Sequence, residues 1–393
     1  MSEPQPTRVV IVCPTLLRND AVGEATLNMV RDLAADAHNQ VTLVCRNSDP
    51  HEFEVTRVRS LSDLLLTPAF LEADVVIYVF AIFNELFDAI LLGNGRARQI
   101  VRFHNVTPKA LVGEADHPVI DRSMAQIQNF AAADELWADS QENRDELLRQ
   151  GLDPDRIQVM DLAVTPPTVG RLADKARRPI NIVYVGRFVQ SKGVHELLEA
   201  LALLRDRSPV PFKARLLGNT RHASPDYIAH LDRLMTDLDL HDHVDLGGTI
   251  SDAGLAEAYG QAHVFATASR HEGFCVPVIE ALAAGCVPVS YANSNLHYIG
   301  GGLGRLARDE TPVALAEALA SVVGDIDRGL PHQTASAALA LDRGPLTIAA
   351  FDDAARTHVA AFSRGRAADR MRDRLTVLTT LPDAIALEAP ALA

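Results

Sequence analysis

Three short stretches of this chain carry groups suited to a charged, hydroxyl-rich ligand. The first is Gly186-Arg187-Phe188-Val189-Gln190-Ser191-Lys192-Gly193, which follows an apolar run and opens a segment of helical spacing. A lysine at the start of a helix is unfavourable, because the macrodipole is positive there. Arg187 and Lys192 together make sense if an anion such as a diphosphate is held beside that helix start. The alternative is two solvated cations on an ordinary strand–helix loop. The second stretch is Glu272–Glu280, read E-G-F-C-V-P-V-I-E. Pro277 suits the first turn of a helix, and Gly285 suits its end. Glu272 then stands on the preceding loop and Glu280 about one turn into the helix. Free backbone N–H groups at Phe274, Cys275, Val276 and onward can receive anions or sugar hydroxyls. The two carboxylates can accept hydrogen bonds from two polyol parts of one ligand, or be no more than a capping acid and a solvated helix acid. The third stretch is His104-Asn105-Val106-Thr107-Pro108. A histidine just past a buried strand faces a cleft, or is satisfied within its own loop. Gly23, past the first strand, lets backbone approach a ligand, or simply turns the chain.

The elements that must position these groups are legible in the hydrophobic pattern. Val9–Cys13 is a continuous apolar run, as expected of a strand buried on both faces of a parallel sheet. Val41–Cys45, Val75–Val79, Ile100–Phe103, Leu136–Ala138 and Ile157–Met160 continue the series. Segments of helical spacing such as Ala25–Ala35 and Ser140–Gln150 lie between several of them. A second series has strands at Asn181–Val185, Lys213–Leu217, Val244–Leu246, Val264–Ala266 and Val287–Ser290. Its helices are expected at Val194–Asp206, Pro225–Asp237, Asp252–Gln261, Val278–Ala284 and Val313–Val323. The expected architecture is α/β, with two tandem Rossmann-like doubly wound domains facing each other across a cleft. The expected division is residues 1–165, a Pro- and charge-rich linker at 166–179, and a second domain at 180–345. A C-terminal helix and tail at 346–393 follow, packing back toward the first domain. Leu381–Ala393, with two prolines, is expected to be loose.

Composition narrows the class. The 393 residues are 48% hydrophobic with a formal charge of −14, which argues against nucleic acid as the main partner. Cys13, Cys45, Cys275 and Cys286 form no metal-ligand spacing and read as free thiols in a reducing compartment. The opening residues are polar, and Val75–Phe83 is far shorter than the ~20 residues of a membrane span. A cytoplasmic location is expected. Asp153-Pro154-Asp155 precedes a strand rather than following one, the wrong end for a metal in the cleft, so no metal site is assigned.

Taken together, these stretches resemble the retaining glycosyltransferases of family 4, which have the GT-B fold. The family's two-glutamate signature falls on Glu272 and Glu280. Its Gly-Arg…Lys-Gly pattern falls on Gly186, Arg187, Lys192 and Gly193, and its histidine loop on His104–Pro108. The resemblance implies a nucleoside-diphosphate sugar donor, UDP- or GDP-linked, no other cofactor, an acceptor hydroxyl and a possible homodimer. It assigns Arg187 and Lys192 to the donor diphosphate and Glu280 to the ribose. Glu272 and His104 fall to the transferred sugar, with the N–H groups of Phe274, Cys275 and Val276 nearby. Gly23 is set near the phosphates or the acceptor, and Gly218 and Gly247-Gly248 near the nucleoside. The implied chemistry is retaining, metal-independent transfer in which the leaving phosphate helps to deprotonate the acceptor. Two departures stand out. One glycine, after Val22, replaces the usual adjacent pair, and Asn293-Ser294-Asn295-Leu296-His297 stands where the family has Gly-Gly-x-x-Glu. The rivals are a sugar-nucleotide epimerase or phosphorylase on the same architecture, and a non-catalytic scaffold.

Overall fold

In the computed structural model, the structure describes residues 6–17, 20–218, 223–330 and 338–380. The predicted tail Leu381–Ala393 lies outside the described residues. The first sheet has seven parallel strands: β1 (Thr7–Val12), β2 (Asn39–Cys45), β3 (Val55–Arg57), β4 (Val75–Phe80), β5 (Arg98–Phe103), β6 (Glu135–Ala138) and β7 (Ile157–Val159). Their order is β3-β2-β1-β4-β5-β6-β7. The second has six: β8 (Ile180–Val185), β9 (Phe212–Leu217), β10 (Val244–Leu246), β11 (Val264–Thr267), β12 (Val287–Tyr291) and β13 (Arg305–Ala307). They run β10-β9-β8-β11-β12-β13, again all parallel. Both orders reverse beside the first strand of their sheet, and a crevice for ligands opens at such a reversal. The apolar runs are continuous because helices cover both faces: every side chain of β4 and β11 is buried.

The helices that matter below are α1 (Ala21–Ala34), α2 (Gln141–Arg149), α3 (Val194–Arg207), α4 (Asp252–Gln261), α5 (Val276–Ala283), α6 (Pro312–Gly329), α7 (Ile348–Ala360) and α8 (Arg364–Thr380). α1 starts four residues before the predicted helix, because the Asp20 carboxylate accepts from the N–H groups of Val22 and Gly23. Those residues lack the apolar periodicity the sequence reading relied on. Residues 166–179 are tied down along their length rather than free. The N–H groups of Leu172 and Ala173 donate to the Asp352 carboxylate at 2.7 and 3.2 Å. Arg178 holds Asp327 of α6 with two bonds of 2.6 and 2.7 Å.

The C-terminal segment returns to the first domain. Val164 donates its N–H to Phe362 O at 2.9 Å. Beyond that point α8 lays Met371, Leu375 and Leu378 on a core shared with Leu27, Val30 and Leu33 of α1. The single C-terminal helix expected after residue 346 is two, broken at Ala361–Ser363 and resuming to Thr380. Arg374 fixes the returning helix by two bonds to Glu135, at 2.9 and 2.6 Å. Among the described residues, no helix is long and apolar enough to cross a membrane.

Candidate active site

The loops after β8 and β11, on either side of the reversal in the second sheet, are packed into one another. Gly193 is left-handed, with φ 63°, and a Cβ there would lie 2.1 Å from Ala268 O. Only glycine lets the two loops approach this closely. Arg270 donates its N–H to Ser191 O at 2.9 Å, and its guanidinium holds the buried Glu196 of α3 at 3.0 and 2.8 Å. Tyr291 adds a third bond to Glu196 at 2.6 Å. This network was invisible in the sequence, because its members lie 74 and 95 positions apart. It fixes the two loops that carry Lys192 and Glu272.

Lys192 Nζ and Glu272 Oε1 form an ion pair of 2.8 Å, with 17% and 12% of their side chains exposed. The predicted cation and the predicted sugar-gripping acid therefore balance each other. Arg187 is exposed and makes no ion pair among the described residues. Glu280 lies deeper. Its Oε2 accepts a 2.9 Å bond from Tyr259 OH of α4, and burial raises its pKa above the usual carboxylate range even though that bond favours the ionised form.

The starts of α3 and α5 have no side-chain cap. α3 begins on Gly193, and α5 on Cys275, which is left-handed at φ 74° with a buried thiol. Among the described residues the first N–H groups of α5 have no side-chain partner, while in α3 the His195 N–H donates to the Tyr227 hydroxyl at 3.4 Å. Phe274 is buried, its ring edge-on to Phe362 at 5.8 Å, and Val276 is half-buried. Gly186, Gly218 and Gly247 gather at the ends of β8, β9 and β10. A Cβ at Gly218 would fall 1.8 Å from Gly186 O, and one at Gly247 would sit 3.0 Å from Leu217 Cδ2.

Where the family pattern has a glutamate, Asn293–Asn295 clamps the Glu272 loop instead. Glu272 N–H donates to Ser294 Oγ at 2.8 Å, Asn295 Nδ2 to Phe274 O at 2.7 Å, and Asn293 Nδ2 to Ser269 O at 3.1 Å. The sequence reading noted the departure without finding this role. Short polar side chains able to bond nearby backbone were the available signal.

The first domain meets this loop directly. Asn105 Nδ2 and His271 Nε2 are 2.8 Å apart, and Ser140 Oγ donates to Gly273 O at 2.5 Å. Gly273 faces the His104–Asn105 backbone so closely that a Cβ would lie 2.7 Å from Asn105 Cβ and 2.9 Å from His104 O. These contacts flank both His104 and Glu272 and bring them to one place. His104 itself is 4% exposed in its side chain and lies against Asp139. Gly23 sits inside the first turn of α1, where its close neighbour is the protein's own Leu17 O, 2.1 Å from a would-be Cβ. Asp153 caps a short turn ahead of β7.

Two doubly wound sheets meeting at their carboxyl ends, with a cation–carboxylate cluster at the reversal of the second, define the GT-B class of proteins. The family model of the Glycosyl transferases group 1 matches residues 173–338, most of the second domain. A D-inositol 3-phosphate glycosyltransferase of Kineococcus radiotolerans is 32% identical over 239 residues, 54% of each chain. A GDP-mannose:cellobiosyl-diphosphopolyprenol alpha-mannosyltransferase of Xanthomonas campestris is 32% identical over 150 residues, 38% of each. The matches to these two curated relatives thus span about half of their length or less. Among solved structures, sucrose-phosphate synthase from Thermosynechococcus elongatus superposes with a TM-score of 0.70 at 17% identity, covering 95% of this chain and 99% of that one. At that identity the likeness is one of fold.

Proposed function

We propose that this protein transfers a sugar from a nucleoside-diphosphate sugar to an acceptor hydroxyl, with retention at the anomeric carbon and without a divalent ion. The observation that carries this reading is the convergence of Arg187, the Lys192–Glu272 pair and the uncapped starts of α3 and α5 at the reversal of the second sheet. Departure of a nucleoside diphosphate builds negative charge on the β-phosphate. Fixed cations and N–H groups in a closed cleft are suited to stabilise it. In this reading Lys192 moves from Glu272 to the phosphate when the donor arrives, and Glu272 is freed to accept from sugar hydroxyls. Glu280, with one oxygen taken by Tyr259, offers the other to the ribose. The leaving phosphate helps to take the acceptor proton, so no protein nucleophile is required.

The named relatives are similar to this chain over about half their length at most, and one of the two names GDP-mannose in its title. They support the reaction class and leave the base open between UDP and GDP. The test is a melting-temperature screen with UDP and GDP, followed by transfer and donor-only incubations with UDP- and GDP-sugars. A melting shift with one diphosphate that is lost in Glu280→Ala is the expected result. Absence of a shift with either sinks the reading. Epimerised product in the donor-only incubation would instead favour an epimerase.

A further inference from the structure

β5 and β6 pair in parallel with Arg102 opposite Trp137 and Phe103 opposite Ala138. The first residues past the two strands are His104 and Asp139, and this register sets them side by side. Strand alternation puts Arg102 on the same face as His104, two residues on. Asp139 therefore stands between them. Arg102 Nε donates to Asp139 Oδ1 at 2.9 Å, and a second guanidinium N–H reaches Met160 O at 3.2 Å. The ring nitrogen Nδ1 of His104 is in contact with Asp139 Oδ2. That contact is off the line a hydrogen bond needs, and among the described residues neither Asp139 Oδ2 nor His104 Nε2, both buried, has a hydrogen-bond partner.

Buried polar atoms without partners are uncommon and destabilising. Two of them in one couple, where a strand end meets the cleft, call for an explanation. Arg102 already balances the Asp139 charge, so the couple has no need of a second cation. A neutral imidazole donates from one nitrogen and accepts at the other. A small turn of the ring would give the Nδ1 proton to Asp139 Oδ2 and leave the Nε2 lone pair for a donor. The ring turn satisfies Asp139 Oδ2, and a hydroxyl group arriving at Nε2 satisfies the remaining atom. Gly273 lies against the His104 backbone, which sets this loop beside the one that carries Glu272.

We propose that Asp139 is a positioning residue for the transfer reaction, holding the His104 proton on Nδ1 so that Nε2 accepts a hydroxyl of the bound substrate. This rests on the transferase reading above. The hydroxyl comes from the donor sugar or from the acceptor, and the experiment separates the two.

The ring is read directly. His104 is assigned, in protein labelled at its histidine ring nitrogens, by the signals lost in His104→Gln. Wild-type protein, free and with UDP-glucose or GDP-mannose, is expected to show a protonated Nδ1 and an acceptor-type Nε2. In Asp139→Asn the amide oxygen stays with Arg102 and the amide N–H₂ turns to the ring, so the proton moves to Nε2. With it kcat/KM should fall on the order of 10- to 100-fold, while the affinity for UDP or GDP stays within about twofold, because those groups bind the second domain. If donor hydrolysis without acceptor falls in parallel with transfer, the hydroxyl belongs to the donor sugar. If the acceptor KM rises and hydrolysis is spared, it belongs to the acceptor. A protonated Nε2 in the wild-type protein, or wild-type kcat/KM in Asp139→Asn, overturns the proposal. Should that variant fail to fold, the wild-type spectra decide alone. Absence of any melting shift with UDP and GDP strikes the transferase reading and not the couple, which the spectra of the free protein test independently.

Discussion

Beside the candidate site, two helices of each domain begin in opposite ways. In the first domain α1 is closed by the Asp20 carboxylate and α2 by the Ser140 hydroxyl, each bonded to the helix's own N–H groups. In the second domain α3 and α5 start on Gly193 and Cys275 with no side-chain cap. A helix start left without a cap carries a partial positive charge and unmet donors. In the second domain α5 keeps both beside Glu272 and α3 gives the His195 N–H to Tyr227; α1 and α2 remove them by their own side chains. On the function proposed above, this difference suits the second domain to receive an anion and the first to orient neutral, hydroxyl-bearing groups.

That contrast can be broken by mutation. The largest effect is expected for Lys192→Ala, which removes the cation beside the uncapped helices. kcat should fall by about 10²–10³-fold in a transfer assay, with a lower melting temperature because Glu272 is left without its partner. A rate within a few-fold of wild type would place the anion elsewhere. Next comes Gly273→Ala, whose methyl group collides with Asn105 and with His104 O. Overpacking of about 1–3 kcal/mol at this contact should lower kcat/KM roughly 10- to 100-fold. Asn105→Gly in the same chain removes the nearest of the colliding atoms and should restore part of the loss.

Glu280→Gln should weaken nucleoside-diphosphate binding about 10-fold in calorimetry while making the empty protein more stable at neutral pH. Burial raises the folded carboxyl above its ordinary value of 4.5. The folded chain then holds this proton more tightly than the unfolded one, so stability falls as pH rises from about the unfolded value through the folded one. The gain in melting temperature of the variant should shrink toward zero below pH 4.5. A gain independent of pH would show that the charge is not the cause. The smallest effect is expected for Asp20→Asn. Asparagine caps a helix as well as aspartate does, and kcat/KM should change by less than about twofold. A large rise would show that the Asp20 charge was repelling a phosphate at α1.

Much of this arrangement was open to reading from residue order. Buried parallel strands are uniform apolar runs, and β1, β4 and β8 were located within a few residues of their ends. Short edge strands escaped: Val55–Arg57 and Arg305–Ala307 are too brief and too polar to show a period. So did the hairpin Ala338–Leu341 with Gly344–Thr347. Arg187, Lys192, Glu272 and Glu280 were picked out by position after a strand or at a helix start. What could not be read was how such groups satisfy one another. Lys192 with Glu272, Tyr259 with Glu280, and Arg102 with Asp139 are pairings made by the folded chain, and nothing local in either partner announces the other. The tethering of residues 166–179 was hidden for the same reason, since the Asp352 that holds Leu172 lies 180 residues on.

The returning helix α8 sets a rule for chain surgery. Met371, Leu375 and Leu378 cover an apolar strip on α1, and Arg374 neutralises the buried Glu135 of β6. A fragment ending near residue 165 would leave that strip bare and that carboxylate without its cation, held only by the Trp137 N–H. In a chimera with another protein of this fold, the last helix should therefore travel with the first domain. The exchangeable unit is discontinuous: two ends of the chain moved together, with the second domain spliced between them.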